Sequence, residues 1–356
     1  MANRVAVICN YKLLPERVGG MDHFFWAFNK KCKENNVEID WFFPNTSYHG
    51  DYSSLNIISP DIEITFETFV INKIKGKYVT VFTHFIELCT SFYCQLKKET
   101  GAYIIAVDHN PRPLKGYPLK KRFKKRLKGL IYAKHIDKFI GVSEYTTNEI
   151  LKDFGSGLRN KAFVIYNGVI IDDIEQNTIR NKTNPKFLVV SHLRVSKGIQ
   201  DLIDAVNLLS DTIKENLRID IYGEGPYEAE LKKKVSQFKL ETIFNFKGSV
   251  SNLNELYCLY DYMLQPTHME CFSLSILESL AANVPVITTN VGGNEEAVKH
   301  GENGYIFEVD RPKELSTLLI SIMTGEKYII ENTRNLIKNE FSIDKMVESY
   351  FELLST

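Results

Sequence analysis

Short apolar runs alternate with longer amphipathic segments through the first half of the chain. "RVAVIC" (4–9) and "YIIAVD" (103–108) predict buried strands, whereas "MDHFFWAFNKKCKENN" (21–36) repeats its apolar residues at helical spacing. Strands separated by helices favour parallel pairing in a doubly wound α/β sheet. Further strands are predicted at 38–43, 78–85, 137–143 and 162–169.

The same alternation begins again after "IDDIEQNTIRNKTNP" (171–185), a polar segment ending in proline that is typical of a linker. A chain of 356 residues also exceeds what one hydrophobic core usually supports. We therefore predict two Rossmann-like domains, 1–170 and 171–340, and a closing helix at 341–356 that packs back toward the first domain. Strands are predicted at 186–193, 218–223, 243–248, 262–267, 284–290 and 304–309, and helices near 198–210, 226–238 and 273–282.

Ligands of doubly wound sheets bind outside the carboxyl ends of the strands. Two such domains facing each other would place their ligand in the cleft between them. The formal net charge of zero hides a split between the domains: residues 1–170 hold 25 Lys and Arg against 16 Asp and Glu, or +9, which leaves −9 for the rest. The basic first half predicts an anionic partner there.

Targeting and metal signals are missing from the pattern. The six cysteines show neither a C-x-x-C pair nor a Cys/His spacing typical of zinc, and no Asp-x-Asp occurs anywhere. The start "MANRVAVICNY" is too short and too polar for a signal peptide, and no apolar run reaches eighteen residues. We expect a cytoplasmic protein with reduced thiols.

Two carboxylates flank the start of one predicted helix. Glu270 precedes the helix and Glu278 lies two turns into it, on a segment that otherwise has the composition of a buried helix. The backbone N–H groups of Phe272, Ser273 and Leu274 at the helix start would form an anion site. A carboxylate beside an anion site suits the hydroxyl groups of a sugar phosphate better than the anion itself.

The block "ECFSLSILESLAANVPVITTNVGGNEEAVKHGENGYIF" (270–307) resembles the E-x7-E block of retaining glycosyltransferases of family 4, which have two Rossmann-like domains in the GT-B fold. The resemblance covers nearly the whole chain and is denser in its second half. Other pieces follow in matching order: Gly19–Gly20, "VDH" (107–109), "GVSEYTTNEILKDFG" (141–155), "VIYNGV" (164–169), "SHLRVSKG" (191–198), "YGEGPYEAEL" (222–231) and "FSIDKMVESYFELL" (341–354).

The resemblance implies a role for each matching residue. Glu270 would hold hydroxyls of the transferred sugar and Glu278 the ribose of the nucleotide, while Arg194 and Lys197 would neutralise the departing diphosphate. His109 would contact the sugar and stabilise charge near the reacting carbon, with His84 as its competitor. The further donor-binding residues implied are Gly19, Gly20, Gly223, Val250, Cys271, Phe272, Ser273 and Leu274.

The chemistry of the reaction agrees with this selection. Cleaving a glycosyl–phosphate bond builds negative charge on the leaving oxygen, and fixed positive groups there are usually the largest catalytic term. Arg194, Lys197 and the helix start can supply that charge without a metal or other cofactor. No carboxylate of the first domain stands out as a nucleophile near His109, so front-face attack is expected from the family.

This sequence departs from the family pattern at three positions. The family more often reads G-R-L-x-x-x-K-G, which would put arginine at His192; we favour Arg194 as the substitute. Cys271 stands where glycine usually follows the first glutamate, and Asn283, which can take the left-handed conformation, stands at the helix stop.

The stretch "RPLKGYPLKKRFKKRLKG" (112–129) holds nine basic residues and no acidic one, with aromatic and leucine residues interleaved at near-helical spacing. That pattern is typical of a helix on an anionic membrane surface. We expect the acceptor to be a glycan or lipid-linked saccharide at the inner face of the membrane, and no nucleic-acid partner. The residues predicted to meet the membrane or the acceptor are Lys120, Lys121, Lys124 and Lys125.

Two alternatives remain open from the sequence: a nucleotide-sugar epimerase of the same two-domain build, and a non-catalytic sugar-binding protein. The base of the donor, uracil or guanine, the sugar that is moved and the oligomeric state are also open.

Overall fold

The computed structural model describes residues 4–14, 18–61, 63–76 and 78–355. Parts of the predicted first domain, including its first three residues, and Thr356 of the predicted closing helix therefore lie outside the described residues. The chain divides into two compact units. The first unit consists of two segments of the chain, one up to Gly168 and one from Ile343 onward. The second unit is Val169–Ser342.

The first unit contains a parallel sheet whose seven described strands have the order β3-β2-β1-β4-β5-β6-β7. The apolar runs of the central strands are buried, as expected for a parallel sheet covered by helices on its faces. The strand order reverses between β1 and β4, and such a switch point is where doubly wound sheets bind ligands. The strands are β1 (Arg4–Cys9), β2 (Glu38–Phe42), β3 (Asn56–Ile58), β4 (Thr80–His84), β5 (Tyr103–Asp108), β6 (Lys138–Gly141) and β7 (Ala162–Val164).

Helices connect these strands and bury their apolar stripes against the sheet. The chain places Phe24, Phe25 and Phe28 on the buried side of the first helix, at the spacing that one helical face requires. The helices are α1 (Gly20–Glu34), α2 (Phe66–Lys73), α3 (Ser91–Thr100), α4 (Leu119–Tyr132) and α5 (Glu144–Phe154).

The second unit repeats the architecture with six described strands in the order β10-β9-β8-β11-β12-β13, so its switch point lies between β8 and β11. The strands are β8 (Phe187–Val190), β9 (Ile219–Tyr222), β10 (Phe244–Gly248), β11 (Tyr262–Gln265), β12 (Val286–Thr289) and β13 (Gly304–Phe307). The helices are α6 (Ile199–Asn207), α7 (Asp211–Asn216), α8 (Glu228–Gln237), α9 (Leu253–Leu256), α10 (Leu274–Ala281), α11 (Asn294–Ala297), α12 (Pro312–Met323) and α13 (Arg334–Glu340).

The last helix, α14 (Ile343–Glu352), belongs to the first unit and packs against α1. Its Tyr350 is fully buried, and the Tyr350 ring lies 4.8 Å from the ring of Phe24 and 5.9 Å from that of Phe82. Aromatic contacts of this kind add to the stability gained from burial alone.

The α/β class with two doubly wound parallel sheets is confirmed. β1 and β5 have the predicted bounds, while the other predicted strands are shorter in the structure, because most end earlier at the carboxyl edge and several begin later. Asn283 has φ of 58° directly after α10 and provides the left-handed helix stop that the sequence predicts.

Candidate functional site

The switch point of the second sheet brings together the loops that follow β8 and β11. The first loop carries Lys197 and the second carries Glu270, and Lys197 Nζ donates to Glu270 Oε2 at 2.8 Å. Both side chains stay partly open to solvent, with 24% of Lys197 and 16% of Glu270 exposed. Two predicted site residues, 73 positions apart in the chain, therefore form one ion pair.

Several further bonds fasten these two loops to each other. The N–H of His268 and the hydroxyl of Thr267 both donate to the carbonyl of Ser196, at 2.8 and 3.1 Å. The His268 imidazole Nε2 lies 2.6 Å from Asp201 Oδ2, and this bond raises the pKa of His268. Sequence reasoning missed His268 and Asp201, because neither residue belongs to the motif series and 67 residues separate them.

Gly198 makes the close approach of the loops possible. It has φ of +69°, and a Cβ at this position would lie 1.7 Å from the carbonyl oxygen of Pro266. Only glycine satisfies both conditions, so the residue after Lys197 is fixed by packing as well as by backbone conformation.

The start of α10 lies beside the ion pair. Ser273 is the N-cap residue, but its hydroxyl bonds to Gln265 and Ser275 and does not cap the helix. Gln265 Nε2 in turn donates to Ser273 Oγ at 2.9 Å and reaches Glu270 Oε2 at 3.4 Å. The first-turn amides, beginning with Leu274, therefore donate no hydrogen bond to the N-cap side chain. Cys271 and Phe272 precede the helix as buried residues.

Glu278 follows Ser275 by three positions, on the same side of α10. Tyr257 donates its hydroxyl to Glu278 Oε2 at 2.9 Å, while Oε1 has no hydrogen-bond partner in the described part of the chain. Desolvation raises the pKa of Glu278 to about 7, although the bond from Tyr257 lowers it. The carboxyl group therefore takes up a proton at a higher pH than an exposed glutamate does.

The other predicted donor residues of this unit lie on neighbouring loops. Gly223 follows β9, and a Cβ there would lie 1.9 Å from the carbonyl oxygen of Ser191, so its glycine is required by packing of the loop after β8. Val250 is half-buried in the loop after β10. Arg194 is exposed and its side chain forms no hydrogen bond or ion pair with any described residue, whereas His192 is half-buried.

The first unit presents two histidines at the carboxyl ends of neighbouring strands. His84 Nδ1 and His109 Nε2 lie 3.0 Å apart, and the ring of Phe85 stacks on His109 at 4.2 Å. Burial lowers the pKa of His109 to about 4 and that of His84 well below its usual range. Both rings are therefore neutral at pH 7. His84 is buried, so His109 is the more accessible of the two.

Gly19 and Gly20 begin α1, at the switch point of the first sheet. The N–H of Gly19 donates to Asp22 Oδ2 at 2.8 Å, which places a carboxylate in the first turn of the helix. A Cβ on Gly19 would lie 2.5 Å from the hydroxyl oxygen of Tyr11. A larger residue at position 19 would therefore have to displace the end of the Tyr11 side chain.

The four predicted membrane or acceptor lysines do not share one environment. Lys120, Lys121 and Lys124 are exposed on α4. Lys125 instead points inward, because its Nζ lies 3.1 Å from Asp153 Oδ2 and its side chain is 11% exposed. Among the helices that the structure describes, none combines the length and the apolar character needed to cross a membrane.

Residues 170–341 match the protein-family model described as "Glycosyl transferases group 1". N-acetyl-alpha-D-glucosaminyl L-malate synthase of Bacillus anthracis is 30% identical over 169 residues, which cover 46% of this chain and 44% of that protein. Poly(glycerol-phosphate) alpha-glucosyltransferase of Bacillus subtilis (strain 168) is 26% identical over 236 residues, which cover 65% of this chain and 34% of that protein. The matched segments thus span less than half of either relative.

A similar fold is found in Anabaena Alr3699/HepE, solved in complex with UDP and glucose. That structure matches 99% of this chain and 99% of its own, with a TM-score of 0.74 at 16% sequence identity. The chain therefore has the GT-B fold, and its residues 170–341 are similar to the family described as glycosyl transferases group 1.

Proposed function

We propose that this protein is a retaining glycosyltransferase of family 4 that moves a sugar from a UDP- or GDP-sugar to a glycan or lipid-linked saccharide. The family match of the second unit and the glycosyltransferase names of its relatives support this proposal. The carrying observation is the partly exposed Lys197–Glu270 ion pair at the switch point of the second sheet.

The ion pair suits a sugar diphosphate. An ammonium group carries three N–H donors, so Lys197 retains donors for a phosphate while one is engaged by Glu270. Arg194, exposed on the same loop, adds a second positive charge, and the first-turn amides of α10 add partial positive charge. We propose that these groups stabilise the leaving diphosphate without a metal ion or other cofactor, while Glu270 accepts hydrogen bonds from sugar hydroxyls.

We propose that Glu278 completes the E-x7-E pair by binding the ribose of the nucleotide. Its Oε1 can accept a ribose hydroxyl while Tyr257 holds Oε2 in place. The remaining donor contacts in this proposal come from Gly19, Gly20, Gly223, Val250 and the segment from Cys271 to Leu274.

His109 is proposed to contact the transferred sugar. A neutral imidazole suits this role. The anomeric carbon of the sugar becomes positively charged in the transition state, and a protonated imidazole would repel it. The incoming hydroxyl attacks the face from which the diphosphate departs, so the anomeric configuration is retained. The leaving group is the nucleoside diphosphate, and its departing oxygen accepts the proton of the acceptor hydroxyl.

The acceptor side of the proposal rests on the charge of the first half of the chain. An excess of nine positive charges over residues 1–170 suits an anionic surface. We propose that the enzyme acts at the cytoplasmic face of a membrane, in the synthesis of a cell-surface polysaccharide.

The test is transfer by purified protein from radiolabelled UDP- and GDP-sugars to a lipid-linked saccharide extract. Lys197→Ala should lower the rate by roughly 100-fold or more, since removing one group that stabilises the leaving charge typically costs that much. Glu270→Ala should also lower the rate strongly, because the sugar hydroxyls lose their acceptor and Lys197 loses its partner. Lys233→Ala is the matched control, because Lys233 is exposed on α8 of the same unit.

The same assay separates the rival functions. An epimerase would convert the nucleotide sugar in the absence of any acceptor, and a binding protein would hold the sugar without turnover. Full activity of both the Lys197 and the Glu270 variant would overturn the proposed site.

A further inference from the structure

The basic helix α4 has one side that packs on its own unit. A Cβ on Gly129 would lie 2.1 Å from the carbonyl oxygen of Phe154, so the backbones of α4 and α5 touch there. Lys125, one turn earlier, pairs with Asp153, and Lys128 Nζ lies 2.7 Å from Glu87 Oε1. These three residues of α4 fix which side of the helix faces inward.

The opposite side of α4 is apolar and open. Its residues recur every three or four positions and so form one continuous stripe, the outward stripe. Leu119, Phe123 and Leu130 are 80%, 73% and 75% exposed, which is far from the usual burial of such side chains. The outward stripe consists of Leu119, Phe123, Leu127, Leu130 and Ile131.

Positive charge borders the outward stripe on both sides. At 100° per residue, Lys124 lies beyond one edge, and Arg122 and Arg126 lie beyond the other. Lys120 lies close to the first edge, between Leu127 and Ile131. The helix contains no acidic residue, and the side chains of Lys120, Lys124 and Arg122 form no hydrogen bond or ion pair with any described residue. The positive charges of these three side chains are therefore not neutralised by salt bridges to the described part of the protein.

We propose that α4 lies in the interface of an anionic lipid bilayer, with the outward stripe inserted at the boundary of the acyl chains and the flanking cations on the lipid phosphates. Large apolar side chains on one helical face, bordered by lysine and arginine, are what such interfacial helices require. The inference rests on the membrane location under the proposed function and is independent of the transfer reaction.

Charge complementarity favours an anionic lipid surface over a second protein as the partner of the outward stripe. A second copy of this chain would bring the same cations against each other, and like charges placed together are costly. Protein interfaces are also depleted in lysine, whereas anionic headgroups accept it. The outward stripe therefore has one occupant that satisfies both its apolar centre and its basic edges.

The test is co-sedimentation of the full chain with vesicles of phosphatidylglycerol and phosphatidylcholine, compared with phosphatidylcholine alone. Phe123→Ser combined with Leu130→Ser should weaken binding by at least about 10-fold, since two large apolar side chains no longer leave water for the acyl-chain boundary. Ile330→Ser is the matched control, because Ile330 is equally exposed on the second unit. Lys120→Gln combined with Lys124→Gln should also weaken binding and reduce its dependence on salt.

Several results would overturn the inference. One is unchanged vesicle binding by the Phe123/Leu130 variant, and another is equal binding to vesicles with and without phosphatidylglycerol. A third is a wild-type dimer by light scattering that the same variant converts to monomer, since a second copy would then cover the stripe. The assay contains no sugar donor, and Lys197→Ala should bind vesicles like the wild type, so failure of the proposed function leaves this result unaffected.

Discussion

Each unit holds a cation against carboxylates near the carboxyl edge of its sheet, but the two arrangements differ in access to solvent. In the first unit, Arg112 donates to Asp108 Oδ2 at 2.7 Å and to Asp153 Oδ2 at 2.8 Å, and all three side chains are at least nine-tenths buried. In the second unit, the Lys197–Glu270 pair remains partly open to solvent.

That difference separates a structural cluster from an ion pair that a ligand can reach. The N–H groups of the Arg112 guanidinium donate to protein oxygens, and the cluster connects the loop after β5 to α5. Lys197 and Glu270 keep donors and acceptors that solvent can reach, so a ligand can take them without breaking the fold. Buried, satisfied charges thus hold the first unit together, while the open pair of the second is available for chemistry.

The largest expected effect contrasts these two cations. Arg112→Ala should lower the free energy of unfolding by about 3–5 kcal/mol, because the buried Asp108 loses its cation and the buried Asp153 keeps only Lys125. Lys197→Ala should lower it by no more than about 1 kcal/mol, because Glu270 can turn to water. Denaturant unfolding of both variants measures the difference, and equal losses would contradict the distinction drawn between the two clusters.

An intermediate effect is expected from Glu278. Its folded-state pKa of about 7 lies above the ordinary value of 4.5, so the folded protein binds a proton more tightly than the unfolded chain. The contribution is fully present below pH 4.5 and is lost as the pH rises toward 7, by at most about 1.4 kcal/mol per pH unit.

Glu278→Gln keeps an acceptor for Tyr257 and removes the titration, so its stability should depend less on pH than that of the wild type. Thermal unfolding between pH 5 and 8, with Glu230→Gln on exposed α8 as control, measures this. Parallel pH profiles for wild type and Glu278→Gln would show that Glu278 ionises normally.

The smallest effect concerns the loops around Lys197. Asp201→Asn should cost about 1 kcal/mol of stability, because it replaces a charge-assisted bond to His268 by a neutral one. His268 has a raised folded-state pKa, so the stabilisation is present below the ordinary pKa of 6.5 and disappears as the pH rises through the folded value. The loss should therefore be larger at pH 6 than at pH 9.

Asp204→Asn on the same helix is the comparison, because Asp204 pairs with Lys234 near the surface. It should cost less and show no such dependence on pH. If Asp201→Asn behaves like Asp204→Asn at both pH values, the His268 contact does not fasten the loops.

Much of the fold is readable from the chain, because buried parallel strands leave continuous apolar runs. β1 and β5 could be predicted to the residue. β3 could not, since it has three residues, is an edge strand and carries no apolar run of its own. The charge split between the halves is likewise a property of sequence alone.

The candidate site could be predicted only in part from the sequence. Motif order identified Lys197 and Glu270, but their contact depends on the neighbouring positions of β8 and β11 in the sheet. The inward direction of Lys125 was not predictable, because lysines occur around much of α4 and only packing of Gly129 on Phe154 selects the buried side.

The central claim is that the Lys197–Glu270 pair binds a nucleotide diphosphate sugar, and donor-induced thermal stabilisation tests it most directly. A panel of UDP-glucose, UDP-N-acetylglucosamine and GDP-mannose should contain one donor that raises the melting temperature of the wild type. A donor present at 100 times its Kd adds about 2.7 kcal/mol to the free energy of unfolding. Lys197→Ala should lose most of that rise, while Lys233→Ala keeps it. The account is contradicted if Lys197→Ala retains the full stabilisation, or if no UDP- or GDP-sugar stabilises the wild type.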